Sequence, residues 1–134
     1  KFAAARGLTV EARAALPQPL SPFRWSGLVL TPKGVYQSWF NVLEGGGPVF
    51  EFYPRAQNEY VARAKELDSV KTYLWFARFP VARYRPRSFG GRRVHIVEWS
   101  DRRFVSFRGR NSPFSFRVTF NEEGEVLQQG FPSD

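Results

Sequence analysis

The chain of 134 residues (15.5 kDa) carries a formal charge of +8 and is 43% hydrophobic and 17% aromatic, enough apolar material for the core of one domain. It has no cysteine and one histidine, His95, which excludes a disulfide framework, a thiolate metal site and any centre that needs two histidines. No apolar run approaches the roughly 20 residues needed to span a bilayer as a helix, and no stretch reads as a secretory leader.

In chain order, residues 1–16 read as a helical lead-in, because alanines are dense and Phe2, Ala5, Leu8 and Ala12 recur at near-helical spacing. Pro17 is expected to end that helix, and Pro17 to Pro22 reads as a stiff linker. Residues 17–134 are then expected to form one α+β domain. Arg24 to Leu30 and Val35 to Leu43 read as a hairpin around Thr31-Pro32-Lys33-Gly34, which fits a type I turn. In the second of these strands Val35, Gln37 and Trp39 share one face. A flexible Gly45-Gly46-Gly47-Pro48 turn precedes a short strand from Val49 to Tyr53.

Asn58 is placed to cap a helix over about residues 59–78, broken at Asp68-Ser69 and stopped by Pro80. Its apolar stripe runs through Tyr60, Val61, Ala64, Leu67, Val70, Tyr73, Leu74 and Ala77, with Trp75 and Phe76 expected to widen it. Strands follow at Val81–Arg85, Arg93–Trp99, Phe104–Arg108 and Phe114–Phe120, with a loop at Arg87–Gly91 and a turn at Ser100-Asp101-Arg102. The alternation Phe114, Phe116, Val118, Phe120 is the cleanest in the chain. Asn121-Glu122-Glu123-Gly124 reads as a hairpin turn into a last strand, Glu125–Phe131. The expected architecture is a single curled antiparallel sheet of about seven or eight strands packed against helices.

Most of the positive charge is arginine, which suits bidentate contacts to phosphate or carboxylate and stacking on aromatic rings. The densest region gives the candidate binding residues: Arg83, Arg85, Arg87, Arg92, Arg93, Arg102, Arg103, Arg108 and Arg110, interleaved with Tyr84, Phe89, Phe104 and Phe107. Such a surface fits an anionic membrane surface, an acidic partner or nucleic acid. The KH-type loop and the RNP pattern of known RNA-binding folds are absent from the sequence. A small-molecule pocket between helix and sheet is a third expectation.

No complete catalytic constellation is visible. His95 alternates with Val97 and Trp99, whereas Glu98 points the other way, so the two do not form a dyad. Asp101 precedes Arg102 and Arg103, which would keep it ionised in a structural role. Glu122, Glu123 and Glu125 lack EF-hand spacing, and Gly45-Gly46-Gly47 lacks the lysine and helix of a phosphate loop. No metal or cofactor is expected to be held by these residues.

Four stretches carry a family resemblance: Ser21-Pro22-Phe23-Arg24-Trp25 with the Thr-Pro-Lys-Gly hairpin, Tyr73 to Pro80, Trp99 to Phe104, and Phe114 to Phe120. Together they resemble the soluble C-terminal region of the YdjM-type membrane-bound metal-dependent hydrolase family. The resemblance implies a non-catalytic accessory domain of a longer bacterial inner-membrane protein, with the metal ligands in an upstream helical half. None of those ligands can be placed on a residue here. A first residue of Lys, not Met, fits the expectation of a piece cut from a longer chain.

Overall fold

The structure, a computed structural model, describes residues 7, 9–18, 21–41, 43, 49–104 and 114–132. Its described elements are β1 (Ala12–Gln18), β2 (Ser21–Thr31), β3 (Gly34–Asn41) and β4 (Glu51–Pro54), then helices α1 (Glu59–Lys65) and α2 (Asp68–Phe76). After these come β5 (Pro80–Phe89), β6 (Arg92–Asp101), a 3-10 turn (Arg102–Phe104), β7 (Phe116–Phe120) and β8 (Val126–Gly130). The class is α+β as expected, but the strands form two antiparallel four-stranded sheets, β1-β2-β3-β4 and β5-β6-β7-β8, not one curled sheet. The two helices lie between the sheets in sequence and prevent β4 from continuing into β5 as a meander.

The expected helix over residues 1–16 is overturned where it is described. Ala12, Ala14 and Leu16 pack on the core of the first sheet while Arg13, Ala15 and Pro17 face outward, a strand alternation along β2. Pro17 is tolerated because β1 is an edge strand and needs no second ladder. The expected linker shrinks correspondingly: β1 runs to Gln18, β2 begins at Ser21, and the two pair there across an irregular register. The glycine-rich turn at 45–48 lies outside the described residues, and of the strand expected over 104–108 only Phe104 is described, in the 3-10 turn and not in a strand.

Other elements follow their local chemistry. Asn58 caps α1 by accepting from the Val61 amide at 2.9 Å. The cap expected of Asp68-Ser69 is instead Leu67, whose side chain makes no capping bond. The Pro32-Lys33 turn closes on Gly34 at φ +155°, where a Cβ would collide with the Tyr53 carbonyl of β4, so only glycine fits. β5 extends through the expected loop to Phe89, leaving Gly90 and Gly91 (φ +56° and +80°) to make the turn. Ser100 and Asp101 belong to β6, not to a turn.

Two cores result. Val61, Ala64, Val70 and Tyr73 of the helices cover Val97, Trp99, Val118 and Phe120 on one face of the second sheet. Phe79 and Val81 enter a second cluster with Leu28, Leu30 and Val35 of the first sheet. The sheets are joined at this end by a buried polar network. The Gln37 side chain, fully buried, donates to Ser26 Oγ (3.0 Å) and to the Arg102 carbonyl (3.1 Å) and accepts from Arg102 Nε (2.7 Å). The Arg102 guanidinium lies 3.7 Å from the centre of the Tyr53 ring, and its amide donates to the Phe79 carbonyl at 2.9 Å. Desolvation lowers the Arg102 pKa from its ordinary value.

Gln37→Leu keeps the side-chain bulk but leaves the Arg102 Nε and carbonyl without partners. We expect a loss of about 1–3 kcal/mol in urea unfolding, the cost of buried polar groups left unpaired. An unchanged midpoint would show that the two sheets do not depend on this network.

Candidate functional site: an aromatic pocket at the end of the helix

The helix stripe buries Val70 and Tyr73, but Trp75 and Phe76 do not widen it: they are 85% and 67% exposed. α2 stops at this point. Ala77 turns to extended backbone, and the next amide, that of Arg78, donates to Asp101 Oδ2 at 3.0 Å. The two rings therefore project past the last turn and form one wall of a cavity of about 530 Å³. Phe104 of the 3-10 turn, Phe114 before β7, Phe116 at its start, and Phe131 after β8 form the others. Phe104 and Phe114 are 4.5 Å apart between ring centres, and Phe116 meets Phe131 edge to face at 5.4 Å.

The polar groups bordering this cavity are already engaged. The Tyr73 hydroxyl donates to the Phe114 carbonyl at 2.7 Å. Burial, with Asp101 nearby, pushes its pKa well above the ordinary tyrosine value. Thr72 Oγ1 donates to the Asp68 carbonyl at 3.0 Å, and Ser69 Oγ donates to Gln129 Oε1. Asp101, 1% exposed, accepts from the amides of Arg78 and Arg103 and from the Arg103 guanidinium at 2.8 Å. A carboxylate so supplied with donors is taken up in holding the chain together at this point. The cavity is walled by apolar side chains and has no free acid, base or nucleophile among the described residues lining it.

The candidate arginines divide into groups. The register of β5 against β6, with alternation, puts Arg83, Arg85, Arg87 and Arg92 on the face of the second sheet away from the helices, joined there by Arg117 of β7. Glu98 sits among them, 2.8 Å from Arg117 and 3.8 Å from Arg85. Arg93 lies on the opposite face. Arg102 is 8% exposed and locked into the sheet joint, and Arg103 is bound to Asp101, so neither adds to that surface. Arg108 and Arg110 lie outside the described residues, as does Phe107. Tyr84 points to the helix side, where its hydroxyl meets His95 Nδ1 at 2.6 Å. Tyr60 stacks on the His95 ring at 4.0 Å, so the single histidine is an 8% exposed member of an aromatic stack.

Among the described residues no three His, Asp or Glu side chains come together as a metal site. The acidic turn at Glu122 and Glu123 is exposed and shaped by Asn121, whose Oδ1 accepts from the Glu125 amide at 2.8 Å. Among the described residues no helix is long and apolar enough to cross a membrane. No family model matches this chain, and no curated protein or solved structure matches it either.

The aromatic pocket was half legible. The sequence shows the rings of Trp75, Phe76, Phe104, Phe114 and Phe131, but they come from four separate segments. A sharper signal was available: Trp75 and Phe76 both lie off the stripe set by Val70, Tyr73 and Ala77.

The Tyr73 hydroxyl gives a prediction with a defined sign. The folded state holds the phenolic proton, whereas the unfolded chain releases it above about pH 10. Stability is therefore full below that pH and falls as pH rises beyond it. Tyr73→Phe should cost about 1 kcal/mol near neutrality by stripping the Phe114 carbonyl of its donor. It should also flatten the alkaline decline seen by denaturant titration, and an equally steep decline in the variant would assign that loss to other groups.

Proposed function

We propose that this chain is a non-catalytic binding domain whose ligand is an apolar small molecule, held in the pocket formed by Trp75, Phe76, Phe104, Phe114 and Phe131. The observation that carries the reading is the cavity itself: about 530 Å³, walled by aromatic rings, with its neighbouring polar groups internally paired. That volume falls in the range of small-molecule sites. Large rings held at high exposure are costly for a solvated surface and are used where something covers them. The occupant must itself be poor in polar groups, because the described side chains lining the pocket offer no unpaired donor or acceptor to replace its water.

The resemblance to the YdjM-type C-terminal region supports a wider placement of the same reading. The domain would be the accessory part of a longer bacterial membrane protein, with hydrolytic chemistry, where present, in the membrane half. The nucleic-acid reading draws less support, because Tyr84, the ring interleaved with Arg83 and Arg85, lies on the opposite face from them.

Nile red, a neutral apolar fluorophore, provides the test. The protein should bind it with a blue shift and enhanced emission. Trp75→Ala, at a position 85% exposed, should leave unfolding within about 0.5 kcal/mol of the parent while weakening dye binding about tenfold. Equal dye binding by parent and variant would remove the pocket as the site.

A further inference from the structure

The second sheet has a face that the helices do not cover, and its composition differs from that of the pocket. Along β5, β6 and β7 this face carries Arg83, Arg85, Arg87, Arg92 and Arg117 against one carboxylate, Glu98. Glu98 is occupied by Arg117, whose Nε and terminal amine lie 2.9 and 2.8 Å from the same oxygen. Its contact to Arg85 is longer, at 3.8 Å. Among the described residues no carboxylate lies within ion-pair distance of Arg83, Arg87 or Arg92, all three exposed, so the face keeps a clear surplus of positive charge.

Beyond Val81, which packs against the first sheet, the apolar side chains on this face are Val94 and Ile96, half-buried between the arginines, and Phe89, 65% exposed at the tip. The tip itself projects. β7 pairs with β6 only from His95 to Trp99, so Arg87–Phe89 and Arg92–Val94 form a two-stranded finger beyond the edge of the four-stranded sheet. Gly90 and Gly91 close the finger in left-handed conformations with open space around them.

We propose that this finger and the adjoining arginine face dock on an anionic lipid surface, with Phe89 entering the interface and Arg87, Arg92 and Arg83 meeting headgroup phosphates. The charge selects a polyanion, and guanidinium forks match phosphate oxygens. The apolar residues select between polyanions. A single-stranded nucleic acid needs flat rings spaced along the basic face to stack its bases, and this face offers branched aliphatics with one ring at its far end. A ring at the apex of a cationic finger is the arrangement that buries apolar area at the headgroup boundary while arginines remain among the phosphates. The finger and the pocket lie at opposite ends of β6, so this proposal does not rest on the apolar-ligand reading and can fail without it.

Sedimentation of the full chain with vesicles tests the proposal. Phosphatidylcholine–phosphatidylserine vesicles should carry the protein down at low ionic strength, pure phosphatidylcholine vesicles should not, and added salt should release it. Arg87→Gln and Arg92→Gln should each lower the partition coefficient about fivefold, the share of one basic residue near a charged membrane. Phe89→Ser, at an exposed apex where folding is not at stake, should weaken binding several-fold while leaving its salt dependence unchanged. Trp75→Ala should bind vesicles like the parent. Failure to sediment with the anionic vesicles, or insensitivity to all three finger substitutions, overturns the proposal. So does binding to single-stranded oligonucleotide that Phe89→Ser leaves intact and that excludes the vesicles.

Discussion

One buried arginine settles the arrangement of the molecule. Arg102 leaves the end of β6 and enters the inner face of the first sheet, where Gln37 reads both its side chain and its backbone and Tyr53 covers its guanidinium. A guanidinium taken from water demands partners, and among the described residues Gln37 and Tyr53 of the other sheet supply them. The constraint is directional, because an amide that accepts from Nε and donates to the carbonyl of the same residue fits one orientation only. Hydrophobic contact of Phe79 and Val81 with Leu28, Leu30 and Val35 supplies most of the area but tolerates sliding. The polar network removes that freedom.

The consequences run along the chain from Arg102. With that residue fixed, Asp101 on one side and Arg103 on the other are held against each other at 2.8 Å, and Asp101 in turn receives the Arg78 amide. The end of α2 and the end of β6 are thereby tied together. The pocket opens across this tie, with Trp75 and Phe76 above and Phe104 below, and its shape depends on a joint made between the two sheets.

Local periodicity made several elements legible: the two-part helix with its Asn58 cap, the Thr31–Gly34 turn and the alternation over Phe116–Phe120. β1 reads as helix in the sequence because Ala12 and Leu16, at i and i+4, fit a helical period as well as a period of two, and alanine favours the helix only when no strand edge competes. The division into two sheets comes from β4 and β5 not pairing across the helices between them; each strand still pairs with its neighbour in the chain, so local alternation does not reveal the break. Alternation puts Gln37 on the face of Val35 and Trp39, yet nothing local reveals that a glutamine on a buried face has an arginine 65 residues away for a partner. The same holds for the arginines, which look alike in sequence. Burial separates Arg102 from Arg83, and the separation follows from which sheet each one meets.

β6 shows how one strand serves opposite chemistries. Its alternation sends His95, Val97 and Trp99 to the helices and Val94, Ile96 and Glu98 to the open face. Its length, at ~3.3 Å per residue, sets the cationic tip about 30 Å from the neutral aromatic pocket. That distance is several Debye lengths at physiological salt, so charge on the finger does not reach the pocket. Glu98 lies between the two ends. A half-buried pair such as Glu98–Arg117 adds on the order of 1 kcal/mol to stability. Its larger effect is to hold neighbouring guanidinium groups on one face without neutralising them, since one carboxylate offsets only one of the five arginines around it. The surplus left on the face is what distinguishes a poised cationic surface from an ordinary salt-bridged sheet.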